Sequence, residues 1–259
     1  MDMTTSRDWA IFLEVYESLP RQGPGNRACA ARALALCQGL PASPAILDLG
    51  CGVGGQTLHL ADLAPTGSII ALDRHAPSIE RLRAARAARG LASRVRAIVG
   101  DMAQAGLPPG RFDLVWSEGA LYNLGLSQAL RIAHDWLRPG GYIAFTDAIW
   151  RKADPPVEVK ACFEADYPTM GTLGDDLAAI RDGGFTLAGH FTLPDEAWWT
   201  DFYTPMEARI AELRRKYADD AEAMAILDPL AGEPEMHRRH SDYYAYEFFV
   251  ARRDAPASH

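Results

Sequence analysis

The sequence predicts an α/β fold: a mostly parallel, seven-stranded sheet with helices on both faces, N-terminal helices, and a helical insertion between the last two strands. Three observations predict it. Short apolar runs alternate with helix-compatible segments from Ala45 to Asp147. These runs are apolar throughout, as expected of parallel strands covered on both sides. The first run enters a glycine-dense loop, Gly50-Cys51-Gly52-Val53-Gly54-Gly55, and a helical stretch leaves it.

The 259 residues suffice for one large α/β domain. A formal net charge of −8 argues against a broad phosphate-binding surface, so no nucleic-acid partner is expected. No apolar run approaches the roughly 20 residues of a membrane span, and no membrane partner is expected. Met1 to Asp8 lacks the charged-then-apolar form of a signal peptide, so a cytoplasmic location is expected. Cys29, Cys37, Cys51 and Cys162 form no C-x-x-C pair, which suggests neither a zinc site nor a disulfide framework. The histidines (His59, His75, His134, His190, His237, His240, His259) show no ligand spacing, and no metal is expected. His237 and His240 read as a surface pair.

Taken in order, residues 8–18 read as a helix that Leu19-Pro20 ends. A turn through Arg21-Gln22-Gly23-Pro24-Gly25 follows, then a second helix over 26–38. Residues 1–43 thus form an N-terminal helical cap, whose turn either only joins two helices or closes over a ligand. Residues 44–150 form the core. Its strands are predicted at 45–49, 68–73, 94–99, 112–116 and 142–147. Its helices run over 55–64, from Pro77, and from a Ser127 cap to about 137. Arg81, Arg83, Arg86 and Arg89 read as a solvated helix face. Helices at 157–166 and 172–182 follow, the second ended by Gly183-Gly184. Strand six is predicted at 185–193 and strand seven at 243–252. The helical stretch 195–240 between them is far longer than an ordinary connection and reads as a lid or substrate-binding insertion.

The glycine loop admits two ligands. Gly50, Gly52 and Gly55 fit G-x-G-x-x-G with Asp73 downstream, a dinucleotide pattern. Asp48, Gly50, Gly52 and Gly54 also fit acidic-x-Gly-x-Gly-x-Gly. There the carboxylate could hold a cationic amino group, directly or through water. That pattern leans toward a ligand amino-acid-like at one end and nucleoside at the other, the shape of S-adenosylmethionine.

Several signals follow the loop in register: Asp73 ending strand two, Gly100-Asp101-Met102 after strand three, Phe112-Asp113-Leu114-Val115-Trp116 as strand four, and Leu137-Arg138-Pro139-Gly140-Gly141 before strand five. With Asp48 to Gly54 they make the chain resemble the class I S-adenosylmethionine-dependent methyltransferases, strongly over residues 44–150. Gly54-Gly55-Gln56-Thr57 and the Trp116–Gly125 stretch are loosely similar to a small-molecule subgroup grouped with quinone-biosynthesis methyltransferases. The resemblance implies a Rossmann-like fold and S-adenosylmethionine as cofactor. It implies that Asp48 and the Gly50 and Gly52 backbone hold the methionine end. Asp73 would take the ribose hydroxyls and Arg74 would flank the adenosine. Asp101 would accept from the adenine amine, with Met102 against the ring. Gln22, Gln56 and Glu118 complete the expected cofactor contacts.

Residues after the carboxyl ends of strands face the crevice of an open α/β sheet. That selects Glu118, Tyr122 and Asn123 after strand four and Asp147 and Trp150 after strand five. Trp198, Tyr203 and Tyr243 come from the insertion or its edge. Tyr122, Asn123, Trp150, Trp198, Tyr203 and Tyr243 are the expected substrate contacts. If the methyl acceptor is a hydroxyl, Glu118, Tyr122 and His190 are the candidates for proton removal. Glu118 among aromatics would suit a small amine-bearing or planar substrate. The expected partner is a small molecule, with a homodimer left open. The rival readings are an RNA or protein methyltransferase, a NAD-dependent oxidoreductase, and a cofactor-binding scaffold without turnover.

Overall fold

The structure is a computed structural model and describes residues 6–254. The reading of Met1–Thr5 as part of a non-signal N-terminus, and that of His259, lie outside the described residues.

One seven-stranded sheet runs β3 (Val95–Val99), β2 (Ser68–Asp73), β1 (Ala45–Leu49), β4 (Phe112–Glu118), β5 (Leu137–Trp150), β7 (Tyr244–Arg253), β6 (Phe185–Thr192). Pairing is parallel from β3 to β5, and β7 runs antiparallel to both of its neighbours. Successive side chains point to opposite faces of a strand, and here both faces are apolar. Ile46, Trp116, Ala144 and Phe248 enter one core with α2 (Arg27–Leu36) and α3 (Gly55–Leu63). Leu47, Val115, Ile143 and Phe249 enter another with α5 (Leu126–Trp136) and α7 (Leu173–Asp182). This double burial explains the unbroken apolar runs.

Local chemistry sets most helix ends. The Asn26 side chain accepts from the Cys29 N–H at 2.9 Å and caps α2. Thr172 and Asp175 form a reciprocal capping box at α7. The expected Ser127 cap of α5 is corrected: Gly125, at φ 75°, turns the chain into the helix, and Ser127 lies inside it. β5 also starts earlier than expected, because Leu137 already pairs with Phe112 across a bulge. The arginines of α4 (Ala76–Ala88) and its end are more than a solvated face. Arg83 donates to the Ala97 carbonyl at 3.0 and 3.2 Å, Arg86 to that of Val95, and Arg89 pairs with Asp62. Arg83 and Arg86 fasten the helix to the outermost strand, and Arg89 ties its end to α3.

The cap and the insertion form one layer. α1 (Ser6–Tyr16) packs on α9 (Thr204–Lys216) and α10 (Ala221–His240). Ile11, Val15, Met206, Ile210 and Leu227 share one apolar cluster with Tyr244 of β7. Short α6 (Val157–Asp166) adds Val159 to it, and α8 (Glu196–Trp198) with the π-helical turn Trp199–Tyr203 leads into α9. Prolines at 229 and 234 interrupt the hydrogen-bond ladder inside α10.

Phe248 is fully buried between Trp116 and Phe191, with ring centroids at 5.2 and 5.3 Å. Phe248→Ala should cost about 3–5 kcal/mol of folding free energy, read by urea denaturation.

Candidate active site

Strand order reverses between β1 and β4, and a crevice opens beyond the carboxyl ends of such strands. A hollow of about 370 Å³ lies there. Its floor is the loop after β1. Gly50 and Gly52 take φ of 66° and 51°, a region that disfavours other residues. A Cβ on Gly50 would strike Ala120, and one on Gly52 would strike the Gln22 carboxamide oxygen. That oxygen also accepts from the Val53 N–H at 3.2 Å, so the 21–25 turn is seated on the loop and lines the hollow. Gly54 starts α3 with no side-chain cap, and Gly55 and Gln56 line the hollow, so uncapped helix N–H groups border it. The Gln56 amide approaches the Gly50 carbonyl at 3.4 Å.

Acidic groups line the hollow as well. Asp73 accepts from the Gly52 N–H through Oδ2 and the His75 N–H through Oδ1, both at 2.8 Å. Each oxygen keeps acceptor capacity for one more donor. Asp101 Oδ1 accepts from the Ala103 N–H at 2.7 Å. Arg74, Met102, Tyr122 and Asn123 line the same hollow.

Two expected contacts are placed differently. Asp48 is fully buried beneath the loop and does not line the hollow. Its Oδ2 accepts from the Thr57 hydroxyl at 2.5 Å, and Oδ1 has no partner. Burial, opposed by that hydrogen bond, pushes the carboxyl up to about 7. Any action of Asp48 on a ligand passes through the loop above it. Glu118 does line the hollow, but both its oxygens are occupied. Arg21 Nη2 donates to Oε2 at 2.7 Å, and the Trp116 indole donates to Oε1 at 2.8 Å. Pairing with Arg21 removes it as a free base and as a free anionic site.

The remaining expected residues fall elsewhere. His190 pairs with Glu247 at 2.5 Å and, with Trp150, lines a separate hollow of about 880 Å³ beside Thr172. Tyr243 is half-buried with the Lys152 ammonium over its ring. Trp198 and Tyr203 are buried in the cap cluster. His237 is no surface residue: it is 3% exposed, stacks on Trp198 at 4.2 Å, and bonds Tyr244 and Asp195. Asp147 is buried and accepts from the Tyr167 hydroxyl, and burial pushes it up to about 6.

Arg21 is the candidate site residue that sequence reading missed. It lines the hollow, it is buried, and its Nε and Nη1 lack partners. Its acidic partner lies 97 positions away, so spacing gives no signal. The only local cue is its place at the head of a proline-glycine turn.

Comparison with known proteins agrees with this geometry. Residues 46–141 match the sequence model of a methyltransferase-domain family. That match covers the stretch from β1 to the start of β5, the part of the sheet that carries the glycine loop. The malonyl-[acyl-carrier protein] O-methyltransferase of Dechloromonas aromatica is 32% identical over 50% of this chain and 48% of its own length. The sterol 24-C-methyltransferase of Pneumocystis carinii is 29% identical over 60% of this chain and 43% of its own. The chain thus spans less than half the length of these relatives. A SAM-dependent methyltransferase from Thiobacillus denitrificans, solved with S-adenosyl-L-homocysteine, superposes with a TM-score of 0.78. It is 22% identical and covers 97% of this chain and 99% of its own, a likeness of fold.

Two outcomes follow for the ligand-free protein. Arg21→Met should leave Glu118 buried and uncompensated and cost about 3–5 kcal/mol, measured by chemical denaturation. Asp48 has its folded value raised, so its contribution is full below the ordinary value of 3.8 and is lost as pH rises toward about 7. Asp48→Asn should therefore be more stable than wild type at pH 8, by about 1–4 kcal/mol, with the gap closing toward pH 4 in thermal melts.

Proposed function

We propose that this chain is an S-adenosylmethionine-dependent methyltransferase acting on a small molecule. The observation that carries the reading is the mixed charge of one hollow. Asp73 and Asp101 line it together with Arg21 and the uncapped start of α3. A nucleoside presents hydroxyls and an amine to carboxylates. An amino acid presents a carboxylate to a guanidinium and helix N–H groups.

The residues fit that cofactor. Asp73 would take the ribose hydroxyls on its remaining lone pairs, and Asp101 the adenine amine, with Met102 against the base. Arg21 would use its unpartnered nitrogens on the carboxylate of the methionine end. Gly50 and Gly52, lacking side chains, let a ligand reach the loop backbone. The ammonium would meet the Gly50 carbonyl that Gln56 approaches. A dinucleotide fits less well: Gln22 stands over Gly52 and already holds the Val53 N–H, where a pyrophosphate would need the loop. The cofactor supplies the activated methyl carbon; this chain aligns it and excludes water. Glu118 acts here through Arg21, by fixing the guanidinium against the loop.

Calorimetry with S-adenosylhomocysteine beside NAD tests the reading, and saturable binding of the first and not the second is expected. Asp73→Ala should weaken S-adenosylhomocysteine by about 1.5–3 kcal/mol, the scale of hydrogen bonds to a charged group. A change below about threefold in Kd would remove Asp73 from the ribose role.

A further inference from the structure

The cap and the sheet enclose a carboxylate that the cofactor hollow does not use. Glu233 precedes Pro234 in the interrupted part of α10. Its oxygens accept the Tyr16 hydroxyl at 3.3 and 3.4 Å. Among the described residues no lysine, arginine or histidine forms an ion pair with it. Burial pushes the group up to about 7, with Asp166 adding to the rise and Tyr16 opposing it. Glu118, by contrast, is paired with the Arg21 guanidinium.

Tyrosines surround Glu233. Tyr16, Tyr122, Tyr203, Tyr244 and Tyr246 belong to one cluster with Trp198. Burial raises all five phenols and the Glu233 charge adds to each rise, so all five lie within its electrostatic reach. Tyr16, Tyr122, Tyr246 and Glu233 are each only partly buried. The tyrosine cluster adjoins the cofactor hollow at two points. Tyr122 lines the hollow, and the Tyr246 ring comes within 3.6 Å of where a Cβ on Gly119, another lining residue, would stand.

A carboxylate without a cation in apolar surroundings costs free energy, and tyrosine faces attract positive charge. One ligand class relieves the first and uses the second. We propose that Glu233 and the tyrosines about it form the acceptor site, and that it takes a small molecule bearing a protonated or quaternary amine nitrogen. The word acceptor rests on the methyltransferase reading; the amine site itself does not. The positive charge expected on Glu118 from the sequence belongs instead on Glu233, because Arg21 already neutralises Glu118.

The probes are 2-phenylethylamine and its neutral isostere 2-phenylethanol, titrated by calorimetry into protein with and without saturating S-adenosylhomocysteine. The amine should bind at least about tenfold tighter than the alcohol, the combined scale of a charged hydrogen bond and cation–π contact. Glu233→Gln should erase that preference while keeping S-adenosylhomocysteine affinity within about threefold of wild type. Equal binding of the two probes, or a preference that survives Glu233→Gln, overturns the proposal. A second measurement needs no variant. The groups facing Glu233 are the phenols of Tyr16, Tyr122, Tyr203, Tyr244 and Tyr246, the Cys162 thiol and the Asp166 carboxyl. Phenols and thiol are pushed up and stay neutral between pH 6 and 8, so amine affinity should rise about tenfold over that interval as Glu233 ionises. A flat profile overturns the proposal. Amine binding without S-adenosylhomocysteine binding would instead remove the methyltransferase reading and leave the amine site standing.

Discussion

The buried pair between Arg21 and Glu118 is the constraint on which the site depends. It joins the N-terminal turn to the end of β4, the strand that borders the crevice. Both side chains are almost wholly enclosed, at 4% and 1% exposed, so neither charge is solvated by bulk water. Such a pair contributes little net stability against an apolar replacement, yet breaking it is costly. Its effect is therefore positional. It fixes Gln22 over the glycine loop, brings Pro20 and Arg21 against Gly55, and leaves two buried guanidinium nitrogens without partners. The Trp116 indole completes the arrangement from inside β4.

The core was legible in the sequence because its rules are local. Apolar strands buried on both faces, glycines at positive φ, and carboxylates at strand ends each leave a mark within a few residues. β1 and β2 fall on the expected residues, and Asp73, Asp101, Met102, Tyr122 and Asn123 meet in one hollow. Asp48 was misplaced because periodicity does not distinguish a residue beside a loop from one beneath it. Its bond to Thr57 pulls it under.

The other differences come from long-range contacts. Glu118 was read as free because Arg21 is distant in sequence, and His237 as a surface residue because Trp198, Tyr244 and Asp195 come together only in the fold. His190 sits in β6 as expected, but pairing with β7 gives it Glu247 as a partner, away from the cofactor hollow. The cap and the insertion looked like two separate pieces. Their shared apolar faces make them one layer, which no pattern within either segment announces.

That shared layer has a consequence for how the molecule assembles. Tyr16 and Glu233 are 217 residues apart, and the layer is closed against β7, near the end of the described chain. Contacts of such separation carry a large loop-closure entropy and form late, whereas the β1 to β4 region closes with short crossovers. A growing chain would thus shape its glycine-loop half while α1 still waited, apolar face exposed, for a helix not yet synthesised. Trp9, still 47% exposed in the finished fold, belongs to that waiting segment. The interval between the two events is when this protein would be most open to misassociation and to chaperones.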